Sequence, residues 1–185
     1  MKVIFLDVDG VLNSMSYYEQ VTDIFEEAID QANVHELAKI VEATDAKIVL
    51  TSSWRGGWEK NPEECRVDGK LLVRELAKEG IEIFDKTGMS GLWERYGRSV
   101  EVITWMEECK QKYGEDIEAY VIIDDNDFDW EDYRLAEHWV HTDFNGPALD
   151  AKHRDQAIDI LKNLENNFHK ERKGLLWKLI SKFKG

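Results

Sequence analysis

Three short apolar runs, far apart in the chain, each stop abruptly at polar side chains. Lys2–Leu6 (KVIFL) runs into Asp7-Val8-Asp9-Gly10, Ala46–Leu50 (AKIVL) into Thr51-Ser52-Ser53, and Tyr120–Ile123 (YVII) into Asp124-Asp125. Apolar, partly β-branched runs of this length read as strands buried on both faces. Between them the apolar spacing turns helical. Val34, Leu37, Ala38, Ile40 and Val41 share a helical period within Val34–Glu42, and Leu71–Ala77 reads as a helix that stops at Gly80. Ser99 is a suitable N-cap for a helix carrying Val102, Ile103, Met106 and Cys109, with Gly114 after it. Ile81–Phe84 and Trp139–His141 read as shorter strands, and Ala157–Leu164 as a last helix. Strands alternating with helices predict an α/β fold with a mostly parallel central sheet and helices on both faces.

At 185 residues the chain fits one domain. With 43% apolar and 34% charged residues it is globular rather than disordered. A core of this size needs no disulfide scaffold, and two cysteines, Cys65 and Cys109, do not make one. The run Val3–Leu6 is too short for a signal peptide or a membrane span, which leads to the expectation of a cytoplasmic location. Lys and Arg number 24 against 38 Asp and Glu, a net charge of −14. So acidic a surface repels phosphate backbones at long range and argues against broad non-specific nucleic-acid binding.

In an open parallel sheet, ligands sit at the carboxyl ends of the strands. If the three runs are neighbours, Asp7, Asp9, Asp124 and Asp125 converge with the hydroxyls of Thr51 and Ser52. Uncompensated, that many carboxylates raise one another's pKa values. A divalent cation relieves the repulsion, and hard oxygen ligands favour Mg²⁺. Asp7 and Asp9 face one site only if the chain bends after Asp7, and Gly10 permits the bend. One carboxylate can then bind metal and attack while the other serves the leaving group as a general acid. Taken alone, Asp-x-Asp-Gly equally describes a solvated turn. The two further strand ends carrying matching chemistry shift the balance.

FLDVDGVLN resembles the first motif of the haloacid dehalogenase (HAD) superfamily, IVLTSS its second and VIIDDNDFD its fourth, in the right order over Lys2–Asp129. The wording is most similar to a small branch of HAD phosphatase domains that includes domains attached to RNA-repair enzymes. The resemblance implies a three-layer Rossmannoid fold with only small cap insertions and a Mg²⁺-dependent phosphomonoester hydrolase working through an aspartyl phosphate. It implies Asp7 as nucleophile and metal ligand, and Asp9 as general acid and base, also giving its backbone carbonyl to the metal. Thr51, assisted by Ser52, holds the phosphoryl group. Asp125, in preference to Asp124, completes the metal site. The third motif needs a cation. Arg98 is favoured over Lys86, and Arg55, next to the second motif, is a further phosphate-binding candidate. An acid two residues after the nucleophile marks phosphatases rather than dehalogenases.

The family places its substrate-selecting caps after the first or second motif. Here the flap spans roughly residues 13–33 and the second insert roughly 54–86, both small, so an open site is expected. An open site suits a nucleotide or a polynucleotide end. The alternatives are a small-metabolite or general phosphatase and, in another class, a non-catalytic binding module on the same fold. Tyr17, Tyr18, Trp54 and Trp58 lie near the expected mouth, where they can stack on a base or, the preferred reading, pack the flap onto the body. Glu59–Glu64 reads as a solvated acidic loop, and His141 and Asp143 as structural rather than metal-binding residues. The phosphatase domain is expected over residues 1–167. Residues 168–185 carry six basic side chains against one acid, with Leu176, Leu179, Ile180 and Phe183 at helical spacing. This basic amphipathic helix either docks on the acidic body, the preferred reading, or contacts an anionic membrane surface or nucleic acid.

Overall fold

The structure is a computed structural model and describes residues 1–23, 26–88 and 97–163. Five strands, β1 (Lys2–Leu6), β2 (Lys47–Leu50), β3 (Ile83–Lys86), β4 (Ala119–Asp124) and β5 (Trp139–His141), form one sheet in the order β3-β2-β1-β4-β5. Every pairing is parallel. The helices are α1 (Met15–Tyr18), α2 (Gln31–Thr44), α3 (Val67–Ala77), α4 (Gly97–Tyr113) and α5 (Ala151–Lys162).

Alternation along β1 splits the core in two. Ile4 and Leu6 pack with α2, α3 and α5 through Leu37, Ile40, Leu72, Leu76 and Leu161. Val3 and Phe5 face α4, through Val102, Ile103, Trp105 and Met106, and the loop residues Trp130, Tyr133 and Leu135. β1 is therefore apolar on both faces, the mark of a central parallel strand. The result is the three-layer α/β architecture that the alternating pattern predicts. Among the described residues no helix is long and apolar enough to cross a membrane.

Several boundaries differ from the sequence reading, each for a local reason. Ile81 is not a strand residue. Gly80 takes φ +71 and Ile81 donates its N–H to the Leu76 carbonyl while Gly80 bonds to Ala77, so Ile81 is the apolar residue that folds back onto the end of α3. Strand β3 accordingly begins at Ile83 and carries Lys86. Ser99 lies within α4 rather than capping it; it is buried and donates its hydroxyl to the Phe128 carbonyl. The flap ends at Asp30, whose side chain caps α2. Much of the expected second insert is the crossover itself, since α3 packs into the core. Helix α5 starts at Ala151 on a capping box of Asp150 and His153. The expected C-terminal helix, residues 168–185, lies outside the described residues.

Candidate active site

The sheet register builds the site. Leu6 is level with Leu50 on β2 and with Ile123 on β4. One residue further, Thr51 donates its N–H to the Leu6 carbonyl (2.9 Å) and Asp7 donates to the Ile123 carbonyl (3.0 Å). Thr51, Asp7 and Asp124 thus lie side by side at three adjacent strand ends. Strand order reverses between β1 and β4, the crevice where open α/β sheets bind ligands.

Asp7, Asp124 and Asp125 each offer a carboxylate oxygen, all within 4.8 Å of one another. Asp7 and Asp124 are buried, whereas Asp125 is half-buried. Both Asp124 and Asp125, alternatives in the sequence, therefore belong to the cluster. Arg98 at the start of α4 ties it together, with Nη1 3.1 Å from Asp7 Oδ1 and 2.5 Å from Asp124 Oδ2, and its guanidinium lies 4.4 Å from the Phe128 ring centre. Gly10 makes the cluster possible. Its φ is +75, and a Cβ there would lie 2.4 Å from Asp125 Cγ.

Burial is the leading electrostatic cause. It pushes the Asp7 carboxyl above its usual range, although Arg98 and a hydrogen bond from the Ser52 hydroxyl pull it down. Burial and then the neighbouring Asp7 charge push Asp124 up to about 7 against the pull of Arg98. Burial and Asp7 also raise Asp125. Burial works against the Arg98 charge, but Asp124 and Asp7 outweigh it and hold its pKa above the ordinary value. With all three acids ionised, three carboxylates and one guanidinium would leave two negative charges in excess, which is the state that burial opposes.

This donor set suits a hard divalent cation: three converging carboxylate oxygens, no sulfur or imidazole, and an excess charge of the right size. Beside it the Thr51 hydroxyl, buried, has no hydrogen-bond partner among the described residues. Such an orphan at a strand end suits an oxyanion.

Asp9 stands apart from the three-carboxylate cluster. Its Oδ2 accepts the Trp54 indole N–H (3.0 Å) and its Oδ1 the Asn13 amide (3.0 Å). Trp54 sits in the single helical turn Ser53–Gly56 that follows β2, a turn capped by Ser52. Asn13 escaped the sequence reading, although an Asn three residues after a bend glycine is a recognisable turn signal. The sequence alone offers Trp54 only as a stacking or packing residue.

The other cation candidates point elsewhere. Lys86 Nζ donates to the carbonyls of Arg55 (3.1 Å) and Trp58 (2.6 Å) and to Glu59 Oε1 (2.9 Å), so its three donors are spent on the 55–59 loop. Arg55 is buried. Its Nη1 donates to the Thr51 and Ser52 carbonyls and its Nη2 to Glu101 Oε2 (2.7 Å). It supports the second strand end from behind rather than reaching a phosphate in front. Of the three candidate cations, Arg98 meets the carboxylates.

Tyr17 and Tyr18 donate to the carbonyls of Ile29 (3.1 Å) and Ala28 (3.3 Å), and Trp58 is buried, which is flap and loop packing. His141 Nε2 lies 3.0 Å from the Asp125 carbonyl, and Asp143 caps the turn to Asn145, both structural placements. Helix α1 is pinned to the body by Met15 N–H to the Phe144 carbonyl (2.8 Å).

No curated protein and no solved structure matches the chain. A family description does match: HAD domain in Swiss Army Knife RNA repair proteins, over residues 3–146, which takes in all five strands but for Lys2 and every site residue above. With the sheet order, the acid cluster and this match over more than half its length in agreement, the chain belongs to the HAD domains of Swiss Army Knife RNA repair proteins.

Proposed function

We propose that this domain is a Mg²⁺-dependent phosphomonoesterase that works through a phosphorylated Asp7 and takes a nucleotide or a polynucleotide end. Membership of the HAD family carries a phosphatase-like role. The observation that carries the finer reading is the row of Thr51, Asp7 and Asp124, a buried carboxylate set between a hydroxyl without a partner among the described residues and an Arg-bridged acid.

Asp7, Asp124 and Asp125, with the Asp9 backbone carbonyl, would hold the cation, which when bound supplies charge neutralisation for the phosphoryl oxygens. The protein's own groups do the rest. The Thr51 hydroxyl and the Arg98 guanidinium hold the phosphoryl oxygens, while the Ser52 hydroxyl donates to Asp7. An Asp7 oxygen attacks phosphorus, and the bond to the leaving oxygen breaks as Asp9 gives that oxygen a proton. Asp9, now a carboxylate, takes a proton from the water that attacks phosphorus in turn. The bond to Asp7 breaks, leaving inorganic phosphate, a free Asp7 carboxylate and a protonated Asp9.

The nucleic-acid part rests on the RNA-repair family and on the shortness of the flap, which gives way to helix α2 after Asp30. The net charge of −14 favours a second reading, a small phosphomonoester. One screen tests both. Phosphate release with Mg²⁺ is measured on p-nitrophenyl phosphate, mononucleotides, 3′- and 5′-phosphorylated oligonucleotides and sugar phosphates. The proposal expects a phosphorylated oligonucleotide or nucleotide to give the highest kcat/KM. A preference for sugar phosphates supports the second reading, and no turnover of any ester leaves a binding module.

A further inference from the structure

Asp9 is gripped from two sides. Trp54, carried by the turn after β2, donates to Oδ2, and Asn13, carried by the loop after β1, donates to Oδ1. The Asn13 amide is itself fixed. Its Oδ1 accepts the Gly10 N–H (3.0 Å), so its Nδ2 is the donor, and that Nδ2 also meets the Tyr18 hydroxyl (2.7 Å) and the Ala28 carbonyl (3.2 Å). Asn13 is wholly buried, whereas Asp9 and Trp54 are half-buried at the mouth. A half-buried aspartate without such partners samples several rotamers. This one is held by two donors on separate segments, and an indole N–H can only donate, so Trp54 neither takes nor carries the Asp9 proton.

We infer that Trp54 is a positioning residue for the proton donor Asp9, its indole N–H aligning the carboxyl with the leaving oxygen of esters that need protonation to depart. The inference rests on the reading of Asp9 as general acid. Proton delivery contributes only when the donor is held in line with the leaving oxygen. It matters for an alkoxide, which leaves with a proton, and hardly at all for p-nitrophenolate, which leaves without one. Trp54 therefore acts on poor leaving groups in particular, as the sugar hydroxyl of a nucleotide would be.

The test uses the full chain with Mg²⁺ and two esters of similar size, p-nitrophenyl phosphate and benzyl phosphate. The wild type is compared with Trp54→Phe, which keeps the ring and removes the N–H, and with Asp9→Asn. The parameter kcat/KM reports phosphoryl transfer to Asp7 and excludes the later hydrolysis step. Trp54→Phe is expected to lower kcat/KM on benzyl phosphate about 10-fold and on p-nitrophenyl phosphate by no more than about 2-fold, a fraction of the full acid contribution. Asp9→Asn is expected to show the same selectivity with a larger loss. Equal losses on both esters in Trp54→Phe, with selective loss in Asp9→Asn, overturn the role of Trp54 alone. Equal losses in Asp9→Asn overturn the acid itself and the inference with it. A readout independent of turnover is the Trp54 indole N–H resonance, identified by its disappearance in Trp54→Phe. It is expected to move in Asp9→Ala, which removes the acceptor, and to stay in Asp7→Asn; an unmoved signal in Asp9→Ala means the bond is not there, and the inference fails.

Discussion

Arg55 and Glu101 form a buried ion pair, Nη2 to Oε2 at 2.7 Å, with both side chains less than a tenth exposed. The pair joins the turn after β2 to helix α4, across the face that Val3 and Phe5 occupy. Removing Glu101 leaves the buried Arg55 guanidinium without this carboxylate. Glu101→Ala is expected to lose about 3–5 kcal/mol in urea unfolding, whereas Arg55→Met with Glu101→Leu together lose much less. A loss below about 1 kcal/mol in the single variant would mean that the pair is solvated.

Gly10 and Gly80 share a left-handed backbone, φ +75 and +71, but differ in surroundings. A Cβ at Gly80 meets nothing within 4 Å, whereas one at Gly10 overlaps Asp125. Gly80→Ala is expected to cost about 1–2 kcal/mol from backbone strain alone. Gly10→Ala adds displacement of Asp125 and is expected to abolish the thermal stabilisation by Mg²⁺ that Gly80→Ala keeps. Equal Mg²⁺ responses in the two variants would remove Asp125 from the cation site.

Asp7→Asn takes a desolvated charge out of the site while Asp124 continues to hold Arg98. The variant is expected to be at least as stable as the wild type without metal, and to lose turnover of p-nitrophenyl phosphate by a factor of about 10⁴ or more, as for other removed nucleophiles. Near-normal turnover in a folded Asp7→Asn protein would end the assignment of Asp7 as nucleophile.

The pH dependence follows from Asp124, whose pKa rises from an ordinary 3.8 to about 7 on folding. Below the ordinary value the group is protonated in folded and unfolded chains alike. Between the two values the unfolded chain releases the proton and the folded chain keeps it, so this contribution to stability is lost as pH rises. Cation binding requires the carboxylate and is therefore opposed at low pH. The rise in Tm caused by Mg²⁺ is expected to be several degrees larger at about pH 8 than at about pH 5. A Mg²⁺ effect independent of pH would show that the acids titrate outside this window.

The centre of the sheet was legible because β1, β2 and β4 each carried their own signal: a double-faced apolar run and a polar stop. Register then followed, since the stops of β1, β2 and β4 lie level. Legibility failed where sequence neighbours diverge in space. Arg55 follows the hydroxyl cluster after one residue, yet its side chain runs backwards to Glu101; Lys86 ends a strand beside the site, yet it spends itself on loop carbonyls. Ile81 is as apolar as a strand residue, and only the hydrogen bond to Leu76 distinguishes a helix-end fold-back from a β-run. The grip on Asp9 was hidden for a related reason, because it spans 45 residues and depends on where one indole nitrogen points.

Because side chains alternate along a strand, sliding β1 by a single position against either neighbour would turn Asp7 away from the other acids and send Phe5 or Leu6 to the wrong layer. The reactive acid is thus aimed by the same greasy neighbours that hold the sheet together. Trimming Phe5 to a smaller residue should therefore blur the aim of Asp7 well before the domain comes apart.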